Sequence, residues 1–294
     1  MIVTQLPNPH NYSNASQQET GNVVISAITR DKYYYPAHQT PYLLVTNYIS
    51  TGSYLVNNQP TDINDKYFYF LQAGSKLEID FTGNAALQTL LVLFNSTFIT
   101  EAMHENTATD KQLLDDPFYT GIKDVYIPPV PFCINKSMQR LLMRFKSSAA
   151  MDEGQFTFLL LNIINQFCLL NDATKKQIGN IRAVKKSTRE ELYKRLFMAK
   201  LFMEENIHTP ITIEDIAKEA CLNSFHFLRS FKQAHGTTPH QFLSQLRLLK
   251  AFDLLSYHNY TVTETCAAVG FESTSSFSNL FKKRFGVAPS ALLK

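Results

Sequence analysis

Five residues in one short stretch, Phe225, His226, Leu228, Arg229 and Lys232, are of the types that read and grip a nucleic acid. Four more, Ser275, Asn279, Lys282 and Lys283, stand in a second stretch. An arginine matches the N7 and O6 edge of guanine bidentately, an asparagine matches adenine, and an apolar side chain packs on a thymine methyl. Lysines neutralise phosphates without regard to sequence. The spacing is helical. At about 100° per residue, Phe225, Arg229 and Lys232 share one face, with His226 and Leu228 flanking it, and Phe227 and Phe231 lie opposite. In the second stretch Ser275 and Asn279 share a face, with Lys282 and Lys283 nearer the helix end and Phe277 and Phe281 opposed.

The elements that must position these residues are spelled out twice. Thr212-Ile-Glu-Asp-Ile-Ala217 followed by Phe227-x3-Phe231-Lys232-x3-Gly236-x2-Pro239 recurs as Thr261-Val-Thr-Glu-Thr-Cys266 followed by Phe277-x3-Phe281-Lys282-x3-Gly286-x2-Pro289. The repeat marks one supersecondary unit used twice, with one extra residue in the second turn. Thr212 with Asp215, and Thr261 with Glu264, are capping-box openings. The first helices end at Cys221 and Gly270; Asn223 and Ser273 cap the second helices, which stop at Gly236 and Gly286. Two short helices joined so tightly form a helix-turn-helix, whose second helix enters the DNA major groove.

The C-terminal hundred or so residues resemble the DNA-binding domain of AraC/XylS-type transcriptional regulators. The resemblance rests on Ile216-Ala217, Phe227-x3-Phe231-Lys232, Gly236-x2-Pro239-x2-Phe242, Leu246-Arg247-x3-Ala251-x2-Leu254-Leu255, Gly270-Phe271 and Phe277-x3-Phe281-Lys282-x3-Phe285-Gly286-Val287-x-Pro289. It implies base reading by Phe225, Leu228 and Arg229, then by Ser275 and Asn279, in two consecutive major-groove segments of promoter DNA. It also implies an activator working beside RNA polymerase, although the residues themselves do not distinguish activation from repression. Cys221 stands where the family has Gly, Cys266 where it has Ala, and Leu292 where it has an aromatic residue. The two cysteines read as harmless small residues, and Leu292 as loosening the last helix.

The 294 residues suffice for two domains, each with its own core. Charge divides them: residues through Val130 carry a net −6, the remainder a net +9, so the basic half holds the helix-turn-helix copies. No run approaches eighteen apolar residues, and no membrane partner is expected. The four cysteines lack paired spacing and read as reduced thiols of a cytoplasmic protein.

The fold class expected is α+β: a cupin-like β-barrel of jelly-roll type with a helical linker, then an all-α domain of about seven helices containing the two helix-turn-helix units. The domain reading is a flexible tail over 1–21, a cupin-like sensing and dimerisation domain over 22–130, a helical dimerisation segment and linker over 131–188, and the DNA-binding domain over 189–294. Strands are expected at Val23–Ile28, Tyr42–Tyr48, Ser53–Val56, Tyr67–Leu71, Lys76–Phe81 and Leu87–Asn95, with turns at Asn57-Asn58 and Thr82-Gly-Asn84. The cupin part is a weaker resemblance to the sensing domain of AraC-type regulators. Tyr33-Tyr34-Tyr35 reads as core and rim packing, or as the wall of a small-molecule effector pocket.

Residues 107–131 read as loop. Gln155–Leu170, apolar nearly all round, reads as a homodimer interface through Phe158, Leu161 and Phe167 or Ile164; Asn171–Arg189 reads as polar linker. Pro239 opens a long helix ending near Tyr257, whose roughly 28 Å can hold two recognition helices about one DNA turn apart. No catalytic residue, metal or cofactor is expected. The alternative, a metal-dependent cupin enzyme with a DNA-binding appendage, would require a site at the lone His38.

Overall fold

The computed structural model describes residues 1–8, 21–81, 86–107, 125–146, 151–258 and 260–293. Thr82-Gly-Asn84, most of the 107–131 loop and the later part of the 1–21 tail lie outside these. The chain divides into two compact units, Met1–Lys175 and Lys176–Lys294.

The first unit is built from strands β1 (Ile2–Val3), β2 (Val23–Thr29), β3 (Tyr33–Gln39), β4 (Tyr42–Ile49), β5 (Gly52–Val56), β6 (Gln59–Ile63), β7 (Tyr67–Leu71), β8 (Lys76–Phe81), β9 (Leu87–Phe94) and β10 (Phe132–Cys133). They form two sheets, ordered β1-β2-β9-β4-β7-β10 and β3-β8-β5-β6. Alternate residues Leu43, Val45, Leu71, Leu87 and Leu91 of the first sheet meet Tyr54, Val56, Leu77, Ile79 and Phe81 of the second in one core. The expected barrel is thus two facing sheets. Asn57 and Asn58 both take positive φ and close the β5–β6 hairpin, as a two-residue turn requires.

Pattern reading missed four strands. Gln59–Ile63 is polar and partly exposed; Tyr33–Gln39 carries Pro36 at a register shift, which its place at a sheet edge tolerates. Ile2–Val3, read as tail, pairs in parallel with Val24 and Ile25. Phe132–Cys133 is too short to show a period, and pairs with Phe68 and Tyr67.

The chain also forms helices α1 (Ser96–Thr107), α2 (Lys136–Lys146) and α3 (Glu153–Asn180), of which α3 lays Phe167 on the larger sheet. The ring of Phe167 stacks 3.9 Å from that of Phe70 and meets Phe132 edge-on at 5.3 Å. Helix α3 runs past the expected Leu170 to Asn180, so the segment read as linker is mostly helical. By length and composition α3 could cross a membrane, contrary to the sequence reading, but its buried residues Leu160, Ile163, Ile164 and Phe167 face protein.

The second unit is helical: α4 (Lys186–Glu205), α5 (Ile213–Glu219), α6 (Ser224–His235), α7 (Pro239–Tyr257), α8 (Val262–Ala268), α9 (Thr274–Phe285) and a 3-10 turn Pro289–Leu292. Leu292 packs on the core formed by Leu248, Ala251, Leu255, Phe277 and Phe281, so that end is anchored rather than loosened.

Candidate nucleic-acid interface

Both short helices open with complete capping boxes. The Asp215 amide donates to Thr212 Oγ1 at 3.2 Å while the Thr212 amide donates to Asp215 Oδ2 at 2.9 Å. Thr261 and Glu264 repeat the exchange at 3.2 and 2.9 Å. Each box satisfies two orphan amides, and its loss costs about 1 kcal/mol. The turns that follow share one hydrogen-bond pattern. Leu222 N donates to the Ala217 carbonyl and Phe271 N to the Cys266 carbonyl, around a left-handed residue, Cys221 at φ 50° and Gly270 at φ 75°. The extra residue of the second copy, Glu272, comes just after this motif and before the next cap.

The second helices then start on Asn223, which accepts from the His226 amide at 2.8 Å, and on Ser273, which accepts from the Ser276 amide at 3.3 Å. They end on Gly236 and Gly286, both left-handed. Phe227, Phe231, Phe277 and Phe281 are wholly buried and fix the rotation of each helix. That rotation turns Phe225, His226, Leu228, Arg229 and Lys232 outward on α6, and Ser275, Asn279, Lys282 and Lys283 outward on α9. Phe225 is 77% exposed, an unusual state for a ring that packing would otherwise bury. Arg284 adds a third exposed cation to the last turn of α9; its place off the shared face hid it from the sequence argument.

Between the two copies runs α7, whose Thr238–Gln241 capping box and Pro at the first turn give it the expected start. Arg247 lies on this helix. Its Nε donates to the Ile207 carbonyl at 2.7 Å and its Nη2 to the Thr209 carbonyl at 2.9 Å, and its guanidinium lies 6.0 Å from the Phe271 ring centre. One side chain therefore ties the lead-in of the first copy to the turn of the second. Burial lowers its pKa from the usual range. No local period signals such a contact, since its partners are remote in sequence.

In the first unit, Tyr33 leans on Phe81 and Tyr35 on His38, so two of the three tyrosines pack as rim and core; Tyr34 is half exposed. His38 Nδ1 lies 3.0 Å from the Pro36 carbonyl. Among the described residues no group of three or more His, Cys, Asp or Glu is placed to hold a metal ion.

The family described as a helix-turn-helix domain matches residues 216–294. The HTH-type transcriptional regulator ArgR of Pseudomonas aeruginosa is similar at 34% identity over 95 residues, 32% of this chain and 29% of that protein. The C-terminal unit is of the AraC/XylS type. The HTH-type transcriptional activator RhaS of Salmonella schwarzengrund is 34% identical over 88 residues, 30% of this chain and 32% of that protein. A transcriptional regulator with an AraC-type DNA-binding domain from Chromobacterium violaceum aligns at 32% identity over 33% of this chain and 88% of its own, with a TM-score of 0.32. The chain thus spans about a third of the length of the curated relatives it matches. All three alignments are confined to about a third of this chain.

Proposed function

We propose that the chain is a sequence-specific transcription regulator that reads two consecutive major-groove segments of a promoter through α6 and α9. The observation that carries this reading is the matched pair of helices, each capped, rotated by two buried phenylalanines, and presenting to solvent side chains of the types suited to base reading and phosphate binding. Arg229 and Asn279 supply hydrogen-bonded base readout, Phe225 and Leu228 apolar contact with thymine methyls, Ser275 a short polar contact, and His226, Lys232, Lys282 and Lys283 the phosphate contacts. RhaS, similar over this domain, is named a transcriptional activator, and we assign the same sign, exerted beside RNA polymerase in the cytoplasm. The β unit is assigned to sensing a small molecule, to homodimerisation, or to both.

Selection of bound duplexes from a random library tests the reading. The expected outcome is two unlike conserved blocks about 10 base pairs apart centre to centre. Enrichment of one block alone, or of none, defeats it.

A further inference from the structure

Beside the first recognition helix lies a cleft of about 310 Å³. Three guanidinium-bearing residues line it: Arg182 from the lead-in before α4, Arg195 from α4, and Arg229 from α6. Leu192 and Leu222 supply apolar wall, and Glu191 is the one carboxylate among its lining residues. The lead-in is held in place: Arg189 Nη1 donates to the Ala183 carbonyl at 2.8 Å, and the Arg182 amide donates to Gln233 Oε1 at 3.1 Å. Arg195 is fixed by Glu191 at 3.1 Å and by the Cys221 carbonyl at 3.4 Å. The cleft therefore carries net positive charge on braced backbone.

Its direction is set by the helix. His226 and Gln233 project about a quarter-turn from the face that carries Phe225 and Lys232, and Arg229 belongs to both faces. A helix lying in a major groove about 12 Å wide has a phosphate backbone along its flanks. An apolar wall behind the guanidiniums lowers the local dielectric and strengthens their pull on an oxyanion.

We propose that this cleft receives a backbone phosphate of the bound duplex, making Arg182 and Arg195 phosphate-contact residues that extend the interface beyond α6 itself. The proposal rests on the DNA-reading function of α6 given above.

Binding of full-length protein to cognate and unrelated duplexes, measured across a salt series, tests it. Arg182→Ala should weaken both duplexes by the same factor, about three- to tenfold, and flatten the slope of log K against log salt by about 1. Glu191→Gln, which frees Arg195 and removes the opposing charge, should tighten both, a gain that a damaged fold does not produce. Inorganic phosphate titrated without DNA separates a dissolved anion from the duplex as occupant. Saturable sub-millimolar phosphate binding, combined with an unchanged salt slope in Arg182→Ala, would overturn the assignment. So would an unchanged slope together with no gain from Glu191→Gln. Wild-type protein that fails to discriminate duplexes sinks the regulator reading instead, and is seen before any variant is made.

Discussion

Arg247 fills the space that a side chain at position 270 would need. A Cβ built on Gly270 would stand 3.0 Å from Arg247 Nη2 and 2.8 Å from the Ile207 carbonyl oxygen that Arg247 itself holds. With φ at 75°, position 270 excludes side chains twice over, by conformation and by contact. Gly270→Ala is expected to cost about 1–3 kcal/mol in denaturant unfolding. Arg247→Lys keeps the charge but loses the two-pronged geometry, and should destabilise too, with paired-block duplexes losing more affinity than single-block ones. Equal losses on both duplexes would show that Arg247 does not set the relation of the two copies.

The same comparison makes a prediction of the opposite sign. Cys221 occupies the left-handed position that Gly270 holds in the second copy, at φ 50°. Its Cβ pays a steric cost that glycine avoids, so the cysteine is not harmless. Cys221→Gly should raise stability by about 1 kcal/mol, read as a shift of the urea midpoint at constant m-value. No shift would mean that the greater freedom of glycine in the unfolded chain cancels the relief.

Base reading has its own signature. Arg229→Ala and Asn279→Ala should each cost about 1–3 kcal/mol at the selected site and relax preference at a few base pairs. Lys232→Ala should weaken all duplexes alike. Intact affinity and preference in Arg229→Ala would show the reading face to be misassigned.

The proposed homodimer would have to use fewer residues of α3 than the sequence suggests. Ile164 and Phe167, expected at the interface, are wholly buried in their own unit, with Phe167 stacked on Phe70. Phe158 is 64% exposed, Leu161 lies with it, and Leu169 joins the same stripe at 61%. Phe158→Asp should leave the fold intact and convert a dimer to monomer in sedimentation, whereas Phe167→Ala should cost about 3–5 kcal/mol of stability. A wild-type protein monomeric at micromolar concentration removes the dimer from the account.

Acid should loosen the DNA-binding unit. His235 sits among Phe231, Phe242 and Tyr193 with its Nε2 buried and unpartnered, and burial, aided by Lys200, lowers its pKa to about 4. The unfolded chain binds this proton more readily than the folded one, so stability is full above about 6.5 and falls as pH drops toward 4. Unfolding free energy at pH 5 should be about 2 kcal/mol below that at pH 7, and His235→Phe should flatten the difference. Further acidification should release the two capping boxes. The Asp215 carboxyl is held low by the Thr212 hydroxyl and amide, and the Glu264 carboxyl by the Thr261 amide and hydroxyl. A pH profile unchanged by His235→Phe would reject the histidine as its source.

Legibility in the sequence followed the range of the interactions. The caps, turns and outward faces of α6 and α9 depend on residues three or four apart, and each could be read from Thr212, Asn223, Phe227 and Phe231 and their counterparts. Arg247 and the cleft arginines act on partners remote in sequence, where no local period exists. The reach of α3 past Leu170 escaped because Asn171 and Thr174 look like linker, yet both are buried. Asn171 is buried near the Tyr126 carbonyl, a weak hydrogen-bond partner at 3.4 Å. Composition alone could not show that burial.

The unlikeness of the two outward faces has a consequence for genes. In the proposed reading, Phe225, Leu228 and Arg229 would demand one kind of base edge, Ser275 and Asn279 another, and α7 would hold them in a set order along the duplex. A site read this way has a head and a tail. Inverting it in front of the same gene leaves every contact intact but points the bound molecule away from the start of transcription, so the operator carries an arrow as well as an address.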